Sequence, residues 1–374
     1  MKDLFKNYIY PISVLSGSII GVGFLLLPYI TLQVGIWLML FYFVSITALI
    51  VFIHIITAEI SLKTPDYKRF PGFVKFYLGK WAERFSMILM IVGILGILLA
   101  YLIIGSEFLT AIFSPIIGGS FILYLLFYFI VSILVVYFGV KLVAKAEFWA
   151  ILLLLFSLLF ILIRGFYHIK LANIFLPTAN LSNWKVLFLP YGPIMFALWG
   201  TGLIPEVEEM LRRKKKIFKK VIIIGTLIPA AIYLFFIFLT LSITGSQTTD
   251  SALVGIKDAL GDGIISMILF IGVITTFIGF VTQALLLKEV FMYDLKIEKF
   301  PAWVFTCFPP LMLYFLGFNS FIVLIGFVGG VFLGINGIMI LMMYKKIGGK
   351  NYIIYPLYFV FIMGIIYEVV YFIR

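Results

Sequence analysis

The chain has 374 residues, of which 64% are hydrophobic, 18% aromatic and 12% charged, whereas a soluble domain is about 45–50% apolar and about 25% charged. That balance excludes an ordinary soluble enzyme. The formal charge of +12 comes from basic residues set between long apolar runs and not from a patch facing a polyanion, so a lipid bilayer is the expected surrounding and nucleic acid is excluded as a partner.

A helix rises about 1.5 Å per residue, so a hydrocarbon core of about 30 Å needs about 20 apolar residues. Cutting the chain at charges and turn signals leaves eleven such segments. They run over 8–34, 36–60, 85–113, 119–138, 146–163, 186–206, 220–243, 263–287, 300–317, 320–344 and 352–373. A β-barrel would alternate polarity over about ten residues at a time, and these runs are continuous. The sequence therefore predicts an all-α integral membrane protein with about eleven transmembrane helices. The first segment follows Lys2 and Lys6, is too long for a signal-peptide core and lacks a small-residue cleavage site, so it is expected to be retained. Cys307 is the lone cysteine, which leaves no disulfide framework and no thiolate cage.

Basic residues sort by side when the eleven segments are threaded in alternation. One side holds 23 of them, including Lys63 to Arg84, Arg212 to Lys220 and Lys345 to Lys350, and the other holds Arg164, Lys170, Lys185, Lys257 and Arg374. The positive-inside rule then places the N-terminus in the cytoplasm and the C-terminus on the opposite side, most simply of the cell membrane.

Two segments carry helix-interrupting residues, which hydrocarbon tolerates only where protein or a cavity satisfies the freed backbone. The first reads SGSIIGVGFLLLP, with Ser16, Gly17, Ser18, Ile20, Gly21, Gly23 and Pro28; the sixth reads YGPIMFALWGTGLIP, with Gly192, Pro193, Trp199, Gly200, Thr201, Gly202 and Pro205. They hold corresponding places in segments 1–5 and 6–10. Five crossings are odd, so the second block enters from the opposite side, which is the inverted-repeat plan of a secondary transporter. The expected repeats span approximately 8–163 and 186–344, with 352–373 as an extra helix in a single transmembrane domain. Unwinding at Gly21–Gly23 and Gly200–Gly202 would expose N–H groups suited to a carboxylate and carbonyls suited to an ammonium or small cation. An amino acid zwitterion fits that pairing. The competing reading is that these glycines serve close helix packing.

Ionisable and polar residues within the segments are few. Glu107, near the outer end of the third segment, shares a face with Gly93, Gly96 and Ala100 and is a candidate proton carrier or a headgroup-level carboxylate. Glu59 and Glu147 are expected to pair with Lys63 and Lys145, and Glu208 and Glu209 with Arg212 and Arg213 at i and i+4. His54 has no second ligand at metal spacing and is expected to be packed and hydrogen-bonded. Glu368, in the last segment, lies outside the expected core and is given a local role. The eighth segment is uncharged yet holds Thr275, Thr276, Gly279, Thr282 and Gln283, a polar stripe expected to face the first segment.

GSIIGVGFLLLPY in the first segment, ILGILLAYLIIGSEFL in the third and ALWGTGLIPEVEE followed by RRKKKIFKK after the sixth resemble the amino acid permeases of the amino acid, polyamine and organocation superfamily, nearest to the auxin and aromatic or hydroxy amino acid permease branch. The resemblance covers the whole chain and implies a ten-helix, leucine-transporter-type core with helices 1 and 6 discontinuous. It implies that Ser18, Ile20, Gly21 and Gly23 line the carboxylate side of a substrate pocket, while Trp199, Gly200, Thr201 and Gly202 hold the amino group and gate it. It also implies an ion site from the carbonyls of Gly17 and Ile20 with the hydroxyls of Thr275 and Thr276, although the first hydroxyl of the usual pair falls on Ile274. The lysine that some proton-coupled relatives carry in helix 5 aligns with Leu154. Na+ or H+ is thus left as the coupling ion, with no organic cofactor.

No GxxxxGK[ST], HExxH, GxSxG or paired-aspartate signature is present, so neither ATP-driven transport nor intramembrane catalysis is expected. Two functions remain: a symporter importing a neutral, perhaps aromatic, amino acid by alternating access, and a ligand-sensing permease-like receptor subunit of the spore-germination type. Nothing in the sequence fixes the oligomeric state.

Overall fold

The structure is a computed structural model, and it describes residues 5–65, 68–139, 143–176, 184–211 and 215–373. Among these residues the chain is nearly all helix and has no strand. The first apolar segment divides into α1 (Tyr10–Ile19) and α2 (Leu27–Val34), the latter entered through a 3-10 turn at Gly23–Leu26. There follow α3 (Ile36–Lys63), a short α4 (Phe70–Leu78), α5 (Lys80–Ile117), α6 (Phe121–Phe138) and α7 (Val143–Gly165). After α8 (Trp184–Leu187), the sixth segment divides into α9 (Tyr191–Leu198) and α10 (Ile204–Leu211). The rest comprises α11 (Lys215–Thr244), α12 (Leu253–Leu260), α13 (Asp262–Glu289) and α14 (Lys299–Phe315). The chain ends in α15 (Phe321–Phe327), a π turn at Val328–Phe332, α16 (Leu333–Lys346) and α17 (Asn351–Ile373).

Local chemistry sets the joints. Gly35 and Gly79, with φ of 84° and 91°, turn the chain between α2 and α3 and between α4 and α5, a conformation that a Cβ would strain. Pro28 and Pro205 each sit at the second position of the half-helix that follows a break. A missing N–H costs nothing in a first turn, so each proline restarts a helix that the preceding glycines have interrupted.

Among the described residues seven unbroken helices are long and apolar enough to cross a membrane. The pair Asn7–Ile19 and Gly23–Val34, bent by 55°, makes an eighth. The split sixth segment, the 17-residue α14 and the shorter apolar stretch Leu152–His168 are the others. The eleven apolar segments are therefore present as helices, while eight reach spanning length by themselves or as a bent pair.

Packing centres on α5 against α13. Around that axis each contact among the early segments has a partner five segments on. α1 packs on α11, as α9 and α10 pack on α3; α5 packs on α6, as α13 packs on α14; α6 meets α13, as α14 meets α5. The ends also sort. Lys63 Nζ donates to the Ile347 carbonyl at 2.9 Å and Lys288 Nζ to that of Val136 at 2.6 Å, at one end of the bundle. At the other, Lys257 Nζ donates to the Ala111 carbonyl at 2.6 Å and the Lys170 amide to that of Ser242 at 2.9 Å.

Close approach is bought by glycine in the bundle interior. A Cβ on Gly105 of α5 would lie 2.2 Å from the ring of Tyr128 on α6, and that ring is buried. Gly105→Ala is expected to lower stability by about 1–3 kcal/mol, the usual cost of overpacking. Thermal unfolding in detergent, followed by circular dichroism, checks this, and an unchanged transition would refute the tight contact.

Candidate functional site

α1 ends at Ile19, and the Ile20 amide reaches back to the Ser16 carbonyl at 3.1 Å while its own ψ of 93° leaves the helix. Gly21 and Val22 are bends before helix resumes at Gly23. In the sixth segment Trp199 is extended at ψ 122°, Gly200 follows at φ −139°, and Thr201–Leu203 forms a 3-10 turn. Both breaks fall where the glycine motifs predict.

The two breaks pack against each other. A Cβ on Gly200 would lie 2.5 Å from Ile19 Cγ1, and one on Gly23 would lie 2.5 Å from the Phe196 ring and 3.2 Å from Ala197 Cα. At Gly23 and Gly200 the absence of a Cβ is what lets the two breaks approach this closely. Gly202 is exposed and has nothing within 4 Å of a Cβ position.

Side chains from other segments satisfy the freed backbone. The Tyr233 hydroxyl, on α11 and fully buried, donates toward the carbonyls of Ile19 at 2.9 Å and Ala197 at 3.2 Å. Its ring stacks on Phe24 at 5.1 Å between centroids, with the planes 1° apart. On the other side the Gly200 amide donates to His54 Nε2 at 3.0 Å. His54 Nδ1 lies 2.8 Å from Thr226 Oγ1, whose own proton goes to the Ile222 carbonyl at 2.9 Å. Thr226 can therefore only accept, which places the ring proton on Nδ1 and leaves Nε2 free to accept from Gly200. The packed histidine expected from sequence is present, and it holds the sixth-segment break.

Tyr101 of α5, like Tyr233, is a residue that sequence reasoning missed. Its hydroxyl lies 3.1 Å from a Cβ position on Gly21, and its ring 2.5 Å from one on Gly279 of α13. It thus stands between the first break and the eighth segment. Tyr101 is one tyrosine among 21 and sits within the third-segment run ILGILLAYLIIGSEFL, a run that marks the family without marking this side chain.

The other predicted site residues are distributed around this centre. Ser18 is exposed and donates to the Leu15 carbonyl at 2.9 Å, Gly17 and Ile20 are half-buried, Trp199 is half-buried and Thr201 is buried. Thr275 and Thr276 both turn back to the Gly272 carbonyl, at 3.0 and 2.9 Å. Their segment packs chiefly on α5 and α7, and the Gly279 side that was expected to face the first segment meets the Tyr101 ring. Glu107 accepts from Ser251 Oγ at 2.7 Å and lines a cavity of ≈ 390 Å³ with Asp250, Tyr314 and Asn319. That cavity, and a second of ≈ 560 Å³ beside Lys68 and Asp294, include no residue of either break.

Of the expected ion pairs, that of Glu59 with Lys63 is replaced, and the others involve residues or side chains outside those described. Lys63 binds a carbonyl and not Glu59, because the loop after α16 reaches it. Glu208, almost fully buried, accepts from Ser61 of α3; Arg212 and Arg213 lie outside the described residues, as do the side chains of Lys145 and Glu147. Glu368 departs most from expectation. Its side chain is 3% exposed and reaches Gly192 of α9, with Gly326 and Gly330 beside it, so the last helix inserts a carboxyl into the core that was expected to exclude it.

The family model described as tryptophan/tyrosine permease matches residues 6–369. The chain belongs to the tryptophan/tyrosine permease family. No curated protein matches it in sequence, but solved structures share its fold. One is MhsT in complex with L-phenylalanine, at 16% identity and TM-score 0.66, covering 97% of this chain and 98% of that one. Another is Mhp1 in an inward-facing conformation, at 11% identity and TM-score 0.68, covering 97% and 89%. A manganese transporter from Eremococcus coleocola aligns at 12% identity and TM-score 0.61, covering 97% and 85%. The permease thus has the leucine-transporter-type fold, and as a member of this family it is an integral membrane secondary transporter.

If Tyr233 and His54 hold the breaks, removing either leaves buried backbone groups unpaired, at a cost of about 1–3 kcal/mol. Tyr233→Phe, which keeps the ring stacked on Phe24, and His54→Leu are each expected to lower the unfolding temperature of the permease. A transition matching wild type in both variants would show that other groups satisfy the breaks.

Proposed function

We propose that this permease carries a neutral amino acid, aromatic ones foremost, into the cell together with Na+ or H+ by alternating access. The observation that carries the reading is the meeting of the two breaks, which brings helix ends of opposite polarity to one place in the bundle. Freed amides there suit a carboxylate and freed carbonyls an ammonium. Tyr233 and His54 already occupy several of these groups, so a substrate enters by exchanging hydrogen bonds with them, and binding is thereby tied to the relative position of the first and sixth segments. L-phenylalanine in MhsT and the family's description support an aromatic substrate. The repeats are taken as 8–163 and 186–344, with the N-terminus in the cytoplasm on the count of basic residues.

Uptake of labelled amino acids into proteoliposomes, under an inward Na+ gradient and separately an inward H+ gradient, tests this. Accumulation above equilibrium under one gradient is expected and identifies the ion. Binding without accumulation under either gradient would favour the sensor reading. Gly202→Leu adds its side chain to open space and is expected to fold as wild type yet lose substrate binding at least tenfold, about 1.4 kcal/mol. Wild-type affinity in this variant would remove Gly202 from the pocket.

A further inference from the structure

Near the end of α17 the Glu368 side chain is 3% exposed although its helix stands outside the ten-segment core. Three glycines leave the volume it fills. Cβ atoms on Gly192, Gly326 and Gly330 would come within 2.3, 3.0 and 2.2 Å of it. Gly330 lies in the π turn of the tenth segment, a widening of the helix that recurs at functional sites. Among the described residues no Lys, Arg or His pairs with the carboxyl. The titratable groups facing it are Tyr191 from α9 and Tyr367 and Tyr371 from α17 itself; α15 and the π turn contribute only glycine and apolar side chains there. The Tyr191 hydroxyl is buried with no hydrogen-bond partner.

A bare carboxylate in such a place is costly without a cation. The Gly192 backbone amide offsets part of that cost. Against it stands the Gly326 carbonyl, whose oxygen lies within 2.4 Å of the same Cβ position that Glu368 Oε1 approaches to 2.3 Å. Two acceptor oxygens turned to one small volume disfavour each other, whereas a carboxylic O–H brings a donor into it. We propose that Glu368 is a proton-binding site, and that its acid form docks α17 into the glycine notch of the sixth and tenth segments. Loss of the proton frees the carboxyl to leave the notch, and α9 with it. Since α9 carries the sixth-segment break, proton binding and the geometry of that break are linked, and the linkage is reciprocal. The docked form prevails at low pH and is lost as pH rises through the carboxyl's titration.

The site itself does not depend on which substrate is moved, whereas its effect on transport rests on the transporter reading. Infrared spectra of the reconstituted permease test the site directly. A carboxylic C=O band is expected that fades as pH rises, is missing in Glu368→Gln, and is altered in Gly330→Ala, where a methyl enters the notch. A spectrum unchanged by Glu368→Gln would overturn the proposal whether or not any substrate is transported. For the coupling, wild-type substrate exchange should fall about tenfold per pH unit beyond the transition, as for one titrating group, while Glu368→Gln stays flat. Wild-type pH dependence in Glu368→Gln would overturn the link to the break.

Discussion

A peptide group released from a helix inside hydrocarbon has no water to turn to, and the centre of this permease is organised around meeting that need. The first and sixth segments both break, and the freed carbonyls of Ile19 and Ala197 converge on a single phenol, that of Tyr233. The amide of Gly200 finds His54. Both side chains come from unbroken helices, α11 and α3, so the scaffold supplies what the interrupted helices lack. Because one hydroxyl serves a carbonyl from each break, moving one break relative to the other changes the hydrogen bonding of both.

The arrangement explains which parts of the structure could be seen beforehand. Apolar length located the helices, and the Gly-x-Gly and Pro pairs located the breaks, because both are local properties of a few consecutive residues. What satisfies the breaks is not local. Tyr233 lies 214 positions from Ile19 and His54 lies 146 from Gly200; tyrosine is common here, and His54, although one of two histidines, has nothing near it in sequence that points to the sixth segment. The same limit applies to Glu368. A carboxylate in a last, extra helix looks peripheral until the glycines of two remote segments are seen to form its socket. Thr275 and Thr276 show the reverse, since their spacing suggested a shared polar face while the hydroxyls turn to their own helix backbone.

The repeated pattern of contacts gives the bundle its division of labour. α5 and α13 form the axis, and the Tyr101 ring fills the space between that axis and the first break. Glu107, which accepts from Ser251, lines with Asp250 a cavity that includes no residue of either break.

Where α9 meets the tenth segment, backbone faces backbone: a Cβ on Gly329 would lie 2.0 Å from the Gly192 carbonyl oxygen. Where backbone meets backbone there are few side-chain knobs to seat in holes, so small shifts of one helix on the other need few rotamers to unlock. Glu368 reaches across this seam to Gly192, Gly326 and Gly330, so its carboxyl acts as a locating pin that sets the register of one smooth surface on the other.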